Sequence, residues 1–447
     1  MAQDKAPDLP SDFCRRITSQ IADAGDLFEQ LNFDFPVSIR VNPTKREFVD
    51  SLPEGREISW CDGGVYLKER PAFVRDPLFH AGLYYPMEAS SMFLGHALKQ
   101  IEISSESIIL DLCAAPGGKS LILKDAFREQ LLISNEIDRK RAHILKENVV
   151  RWGTQNHLVT NSDASKLASS GLRYDLILID APCSGEGMFR KDPNSRSEWT
   201  QERAKGCALR QNEILADALK LLNPGGYIIY STCTFNPDEN IEQLKFLNNN
   251  HSFEFIELSM NEDWAIEKME DGNVLGYQFW PHRVQGEGFF ISVLKSKEEH
   301  KDHSDLSRTK LKSKFNSDFL PISLGEIIPV DLNGELFGFT REEWYAYQDL
   351  KNNCPVVKKG IHLGSWKGKD FIPSHDLSMQ PNVKDWPSAM DLNEEIAIQY
   401  LRGNAIHLEA IKGVILLTCH GLPIGFGKSN GKRINNLIPK HLRIRSI

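Results

Sequence analysis

Apolar residues recur along this chain with two periods, and their alternation organises its middle third. Short apolar runs at 108–112, 131–136, 157–160, 175–179 and 226–230 read as strands. Helix-period segments separate them. One begins near Lys119. A second covers 139–152, where Ala142, Leu145, Val149 and Trp152 share a face and Gly153 is placed to end it in the left-handed conformation. A third carries Ala204, Ala208, Leu215, Ala218 and Leu222 in register, and Asn223-Pro-Gly-Gly226 breaks it. Such alternation predicts an α/β fold: a parallel sheet with helices on both faces and right-handed crossovers.

The flanks follow other patterns. Ser11 is expected to cap a helix running toward Asp23, a short helix follows at 26–31, and 38–42 and 64–67 read as strands. Together they form a small α+β unit to about residue 80. Residues 277–281 and 288–294 predict a closing antiparallel hairpin. Residues 295–314 are polar, charged and almost free of large apolar side chains, the composition of a linker. Strand- and glycine-rich sequence then continues to Ile447, enough for one or two accessory modules. The expected division is 1–80, 81–296, a linker at 297–316, and 317–447. No internal repeat is visible.

Composition narrows the class. At 447 residues there is room for roughly three domains, and 41% hydrophobic with 26% charged residues suits a soluble globular protein. No apolar stretch approaches the roughly 18 residues of a membrane span, and the start lacks the basic-then-apolar order of a secretory signal. A cytoplasmic protein without membrane contact is expected. The eight cysteines contain no CxxC pair or regular spacing, which argues against structural zinc, any other metal site and a disulfide framework. Net charge is −8. After Glu409, however, no acid follows, while Lys412, Lys428, Lys432, Arg433, Lys440, Arg443 and Arg445 do. A local basic face attracts phosphates even on an acidic molecule.

The chemistry gathers just past the strands. Asp111-Leu-Cys-Ala-Ala-Pro-Gly-Gly-Lys-Ser120 is a small-residue turn between a strand and a helix start. It is neither a Walker A loop nor G-x-G-x-x-G. Small residues let a ligand approach the backbone, and a helix start favours a carboxylate or phosphate. Glu136 closes the next strand, where a carboxylate suits a ribose diol. Asp180-Ala-Pro-Cys183 and Tyr230-Ser-Thr-Cys233 bring two cysteines to strand ends. Either one alone is most simply a small buried side chain. As a pair, beside Asp180 and a cofactor loop, they point to covalent catalysis, because a thiolate adds readily to an electron-poor carbon.

The segments Asp111–Ser120, Asp180–Pro193 (DAPCSGEGMFRKDP) and Tyr230–Asn240 (YSTCTFNPDEN) closely resemble the Nop/Sun family of RNA cytosine-5 methyltransferases, which use S-adenosylmethionine. Ser38–Asn42, His80–Met92, Gln211–Leu215 and Gly286–Phe290 extend the resemblance over roughly residues 30–295. Residues 360–375, 400–403 and 425–443 resemble the PUA-like C-terminal RNA-binding part of the bacterial branch that acts on small-subunit ribosomal RNA. The resemblance implies a Rossmann-like methyltransferase sheet. It implies that Cys113, Ala114, Ala115, Pro116, Gly117, Gly118 and Lys119 hold the methionine part of the cofactor, Glu136 its ribose and Asp163 its adenine amine. Cys233 is implied as nucleophile and Cys183 as assisting release of the methylated base. Asp180 would touch both cofactor and cytosine, and arginines such as Arg190 would hold phosphates. Met87 departs from the pattern, since many relatives carry glutamine there. A transfer-RNA substrate, a DNA cytosine methyltransferase using Cys183 of its Pro-Cys motif, and a non-catalytic RNA-binding assembly factor are the alternatives. The protein is expected to act as a monomer.

Overall fold

The computed structural model describes residues 7–49, 52–299 and 320–445, and most of the expected 297–316 linker lies outside them. Strand–helix alternation produces one large sheet. Its five parallel strands, Ile108–Asp111, Leu131–Asn135, His157–Thr160, Tyr174–Asp180 and Leu222–Thr232, lie in the spatial order third, second, first, fourth, fifth. Phe289–Ser296 runs antiparallel to the fifth, and Val274–Phe279 and Glu267–Asp271 follow outward. The closing hairpin thus begins at Val274 rather than 277, and a third strand joins it.

Both faces of this sheet are covered, which explains why its strands read as continuous apolar runs. Ile177 and Ile179 pack on one side with Leu215, Ala218, Leu244 and Leu247 of helices Gln201–Leu221 and Ile241–Asn250. Leu176 and Leu178 pack on the other with Phe93, Leu94, Ile122 and Leu123 of helices Phe93–Leu98 and Gly118–Ala126. Each fully buried aliphatic side chain contributes about 1.5–3 kcal/mol.

Helix Arg139–Trp152 starts where the Asp138 carboxylate accepts the Arg141 amide at 2.8 Å and ends at Gly153, φ 83°. Helix Gln201–Leu221 is capped by Thr200. Leu222, expected on its apolar face, instead opens the following strand. Tyr174 pairs with Leu222 but Leu176 with Tyr227, so the Asn-Pro-Gly-Gly turn bulges from the ladder.

The N-terminal helices are Ser11–Gln20 and Ala24–Gln30. Ser11 is not the cap. Pro10 occupies that position and makes no side-chain hydrogen bond, so the helix is held by packing. Phe13, Ile17, Leu27 and Leu31 share a core with Phe189, Trp199, Phe235 and Trp280. The antiparallel sheet beyond runs Gly55–Glu57, Gly64–Leu67, Ser38–Val41, Tyr84–Pro86, so its last strand lies past residue 80, where the sequence suggested a limit.

Two four-stranded sheets make up the C-terminal part, one from residues 328–373 and one from 389–436. The second shares a core with the N-terminal sheet, through Ile39 and Val41 against Tyr400, Leu417 and Ile424. Between its elements the C-terminal part also sends Val356–Lys358 to pair antiparallel with His157–Thr160, covering that edge of the large sheet. Buried Lys358 donates to the His157 and Gly360 carbonyls, 3.0 Å each, and the Glu343 carboxylate accepts the His157 amide.

Candidate active site

Every cofactor and catalytic position singled out in the sequence falls at the carboxyl ends of the five parallel strands. Across the sheet the order is Asp163, Glu136, the 111–119 loop, Asp180 with Cys183, and Cys233. The strand order reverses between the Ile108–Asp111 and Tyr174–Asp180 strands, which is where open α/β sheets bind ligands. One row therefore joins a cofactor-type loop to two sulfurs.

The sulfurs of Cys183 and Cys233 approach to 3.2 Å, and both residues are partly accessible. Cys183 shares its proton with Cys233 and is desolvated, and both effects hold its thiol well above the usual range. Asp180 accepts from Ser231 at 2.9 Å and ion-pairs with Lys119 at 2.9 Å. Burial works against the Lys119 charge, but the Asp180 carboxylate outweighs it and holds the ammonium above its ordinary value. That ammonium also lies 5.1 Å from the Phe289 ring centre.

The loop after Asp111 is built for close approach. Gly117 adopts φ 120°, which favours glycine, and Gly118 starts the helix. A Cβ on Gly118 would lie 2.3 Å from the Met87 Cε, so Met87 makes an apolar contact with the loop. Loop carbonyls are pinned from helix Arg139–Trp152: Arg141 donates to Ala115 at 2.6 Å and Asn148 to Pro116 at 2.8 Å. Burial pushes Asp111 up to about 7 despite a bond from Ser120 to its Oδ2, and its buried Oδ1 accepts from no protein donor. Burial, with Asp111 and Glu136 nearby, keeps the Cys113 thiol protonated.

Glu136 is 3% exposed, accepts the Asp138 amide at 2.9 Å and faces Arg141 at 3.5 Å. Asp163 caps the short helix Ala164–Ala168, and its bond from Ser165 holds it below the usual carboxylate range. A buried acceptor at the loop base, a small-residue turn that leaves the backbone approachable and two carboxylates on successive strands fit the hydrogen-bonding groups of a nucleoside methyl donor.

Several residues that organise the site lie in the family-like segments, but their roles were not read from the sequence. Glu239, fully buried, accepts the Ser184 amide at 2.7 Å, the Ser184 hydroxyl, Gln211 at 3.2 Å and Thr234 at 3.4 Å. It thereby ties the Cys183 loop to the Cys233 loop. Gln211 lies on the buried stripe with Ala204, Leu215 and Ala218, and a polar residue in that register was the available signal. Glu186, also fully buried, accepts Arg16 at 2.6 Å, Trp199 at 3.2 Å and the Phe235 amide at 3.1 Å. The N-terminal helix thus braces the chain two residues past Cys233. Gly187 passes so close to the Cys233 carbonyl, with its amide 2.9 Å away, that no side chain fits.

Arg190, expected to hold phosphates, is turned toward the protein. It is 8% exposed and donates to the main-chain carbonyls of Gly286 and Asp34, because its helical turn faces inward between two loops. In the basic tail, Lys428 pairs with Asp370 and Arg443 tucks beneath Gly403, while Lys412, Lys432, Arg433, Lys440 and Arg445 are exposed. Among the described residues, no group of His, Cys, Asp or Glu side chains is arranged to hold a metal ion, and no helix is long and apolar enough to cross a membrane.

A parallel row continued by an antiparallel hairpin, with a glycine loop at the switch point, defines a Rossmann-like S-adenosylmethionine-dependent methyltransferase. Three family descriptions match successive parts: the N-terminal domain of 16S rRNA methyltransferase RsmF over residues 9–89, 16S rRNA methyltransferase RsmB/F over 99–295, and the methyltransferase RsmF PUA domain over 387–444. Ribosomal RNA small subunit methyltransferase F of Shewanella loihica is 30% identical over 91% of this chain and 88% of its own. The same-named protein of Shewanella woodyi is 30% identical over 91% and 90%. Among solved structures, a methyltransferase homologue from Pyrococcus horikoshii superposes with TM-score 0.52 and 27% identity, covering 61% of this chain and 90% of that one. The chain belongs to the RsmB/F family of methyltransferases, in its RsmF branch.

Proposed function

We propose that the chain methylates C5 of a cytosine in 16S ribosomal RNA through a transient bond between Cys233 and C6 of the base. The observation that carries this reading is the 3.2 Å contact of Cys183 and Cys233 at neighbouring strand ends, in line with the glycine loop. The ribosomal substrate rests on the names of the relatives and on the RsmF-type N-terminal and PUA regions. We read the chain as acting as a monomer in the cytoplasm.

S-adenosylmethionine, when bound, supplies an electrophilic methyl group. Cys113 to Lys119 would hold its methionine part, Glu136 its ribose, Asp163 its adenine amine, and Asp180 both it and the base. Cytosine C5 is a poor nucleophile. Addition of the Cys233 sulfur to C6 breaks the ring conjugation and moves an electron pair toward C5. Asp180, held by Lys119, would hydrogen-bond the base near N3 by sharing a proton there, which offsets the charge that develops on the ring. A water molecule then takes the C5 proton, the C5–H electron pair re-forms the C5=C6 double bond, and the C6–sulfur pair leaves on Cys233 as a thiolate. The Cys183 thiol is close enough to exchange a proton with it and so speed release. Reaching Cys233 requires an unstacked base, which single-stranded or loop RNA supplies at least expense.

Separate cysteine replacements test the assignment. Cys233→Ala is expected to lower turnover about a thousandfold or more and to abolish denaturant-resistant attachment to RNA. Cys183→Ala is expected to leave RNA trapped on the protein. The reverse pattern moves the nucleophile to Cys183. Bisulfite mapping of 16S RNA from cells with and without the gene checks the substrate.

A further inference from the structure

The contact between Cys183 and Cys233 also makes them a dithiol. Their sulfurs are 3.2 Å apart, roughly 1 Å more than a covalent sulfur–sulfur bond. The surroundings hold that approach. Asp180 and Ser231 pair across adjacent parallel strands, so the two segments leave the sheet as neighbours, about 4.8 Å apart, a separation within the range that disulfides span between Cα atoms. The residues just past the cysteines are joined as well. The Ser184 and Thr234 hydroxyls are 3.0 Å apart and both donate to the Glu239 carboxylate, while the Gly187 amide donates to the Cys233 carbonyl at 2.9 Å. Closing the gap therefore takes rotation of two short side chains, with the backbone left in place.

Reagents can reach the pair, since both residues are partly accessible. A sulfur reactive enough to add to C6 of a base also attacks the weak O–O bond of a peroxide. The usual fate of such an oxidised sulfur is set by whether a second thiol stands beside it, and here one does. Among the described residues no other two of the eight cysteines make a sulfur–sulfur contact.

We propose that Cys183 and Cys233 form a reversible oxidation site for hydroperoxides, which join the two sulfurs in a disulfide and so halt methyl transfer. In the first step the Cys233 sulfur attacks one peroxide oxygen. The O–O bond breaks, the other oxygen leaves with a proton as an alcohol or water, and Cys233 becomes a sulfenic acid. The Cys183 sulfur then attacks the Cys233 sulfur, the S–O bond breaks, and hydroxide departs with the Cys183 proton as water. Two thiols lose two electrons and one hydroperoxide gains them. A dithiol reductant reverses the step by exchange, so in a reducing cytosol the bond is transient. It also keeps Cys233 from the irreversible sulfinic acid. The effect on turnover rests on Cys233 as the nucleophile argued above; the bond itself does not.

The test treats the purified full chain with hydrogen peroxide, quenches it with catalase and maps its peptides without reduction. The expected result is a linked peptide pair holding Cys183 and Cys233, an intact mass lower by two hydrogens, and methyl transfer lost in proportion to the linked fraction. Dithiothreitol should restore both mass and transfer. In Cys183→Ser the same treatment should carry Cys233 to the sulfinic acid, which dithiothreitol does not reverse. Wild-type chain in which Cys233 gains oxygen without joining Cys183, or joins another cysteine or a second chain, overturns the proposal and leaves the catalytic reading in place. Fully linked chain that transfers methyl groups at the reduced rate overturns both. Because the map does not depend on turnover, chain that links as expected but transfers nothing when reduced refutes the catalytic reading and leaves the oxidation site standing.

Discussion

Glu239 offers the sharpest quantitative check on the site. Its carboxyl is fully buried between the two cysteine loops, and burial pushes it from 4.5 up to about 7 against the hydrogen bonds from Ser184. Between those values the folded chain binds a proton at this site that the unfolded chain has released. Stability from this group is therefore fully present below pH 4.5 and falls as pH rises toward 7. Integrated from pH 5 to pH 8, the loss is on the order of 2–3 kcal/mol. Glu239→Gln keeps the shape and removes the titration. Its amide oxygen can accept the Ser184 amide while its NH2 group meets the Ser184 and Thr234 hydroxyls, which also accept. Urea unfolding of both proteins at the two pH values isolates the term, since other acids with raised values cancel in the difference. The variant's stability relative to wild type should rise by roughly 2–3 kcal/mol from pH 5 to pH 8, with turnover largely kept. Glu239→Ala should instead leave the Ser184 amide unpaired, at a cost of about 1–3 kcal/mol, reduce Gln211 to its bond with the Pro182 carbonyl, and lower kcat by letting the loops part. A pH-independent difference would refute the buried carboxyl, and full kcat in Glu239→Ala would refute the clamp.

Two further outcomes follow from the packing around Cys233. A Cβ on Gly187 would meet the carbonyl oxygens of Cys233, Glu287 and Gly288 at 2.8, 3.0 and 3.1 Å. Backbone atoms cannot swing aside as a side chain does, so Gly187→Ala should displace the Cys233 loop and lower kcat far more than S-adenosylmethionine affinity, measured by steady-state kinetics and calorimetry. Arg16→Ala leaves the fully buried Glu186 carboxylate without its cation; a loss of about 3 kcal/mol in urea unfolding is expected, whereas a loss below about 1 kcal/mol would mark the pair as a surface contact.

The sequence by itself determined the parallel sheet, because a strand buried on both faces must be apolar throughout and its helices must show a 3.6-residue stripe. It also marked the cysteines and the glycine loop, since chemistry at strand ends is written in contiguous residues such as Asp180–Cys183. It did not reveal that Val356–Lys358 closes the sheet edge, because three residues carry too little pattern to stand out from a loop. Nor did it separate Arg190, whose charge suggested phosphate, from its inward role as a donor to two carbonyls; burial is a property of the neighbours. The Glu239 and Glu186 clamps were likewise decided only by tertiary structure. Their partners lie up to 170 residues away, and local sequence encodes a side chain's capacity to hydrogen-bond but not which distant group the fold will bring to it.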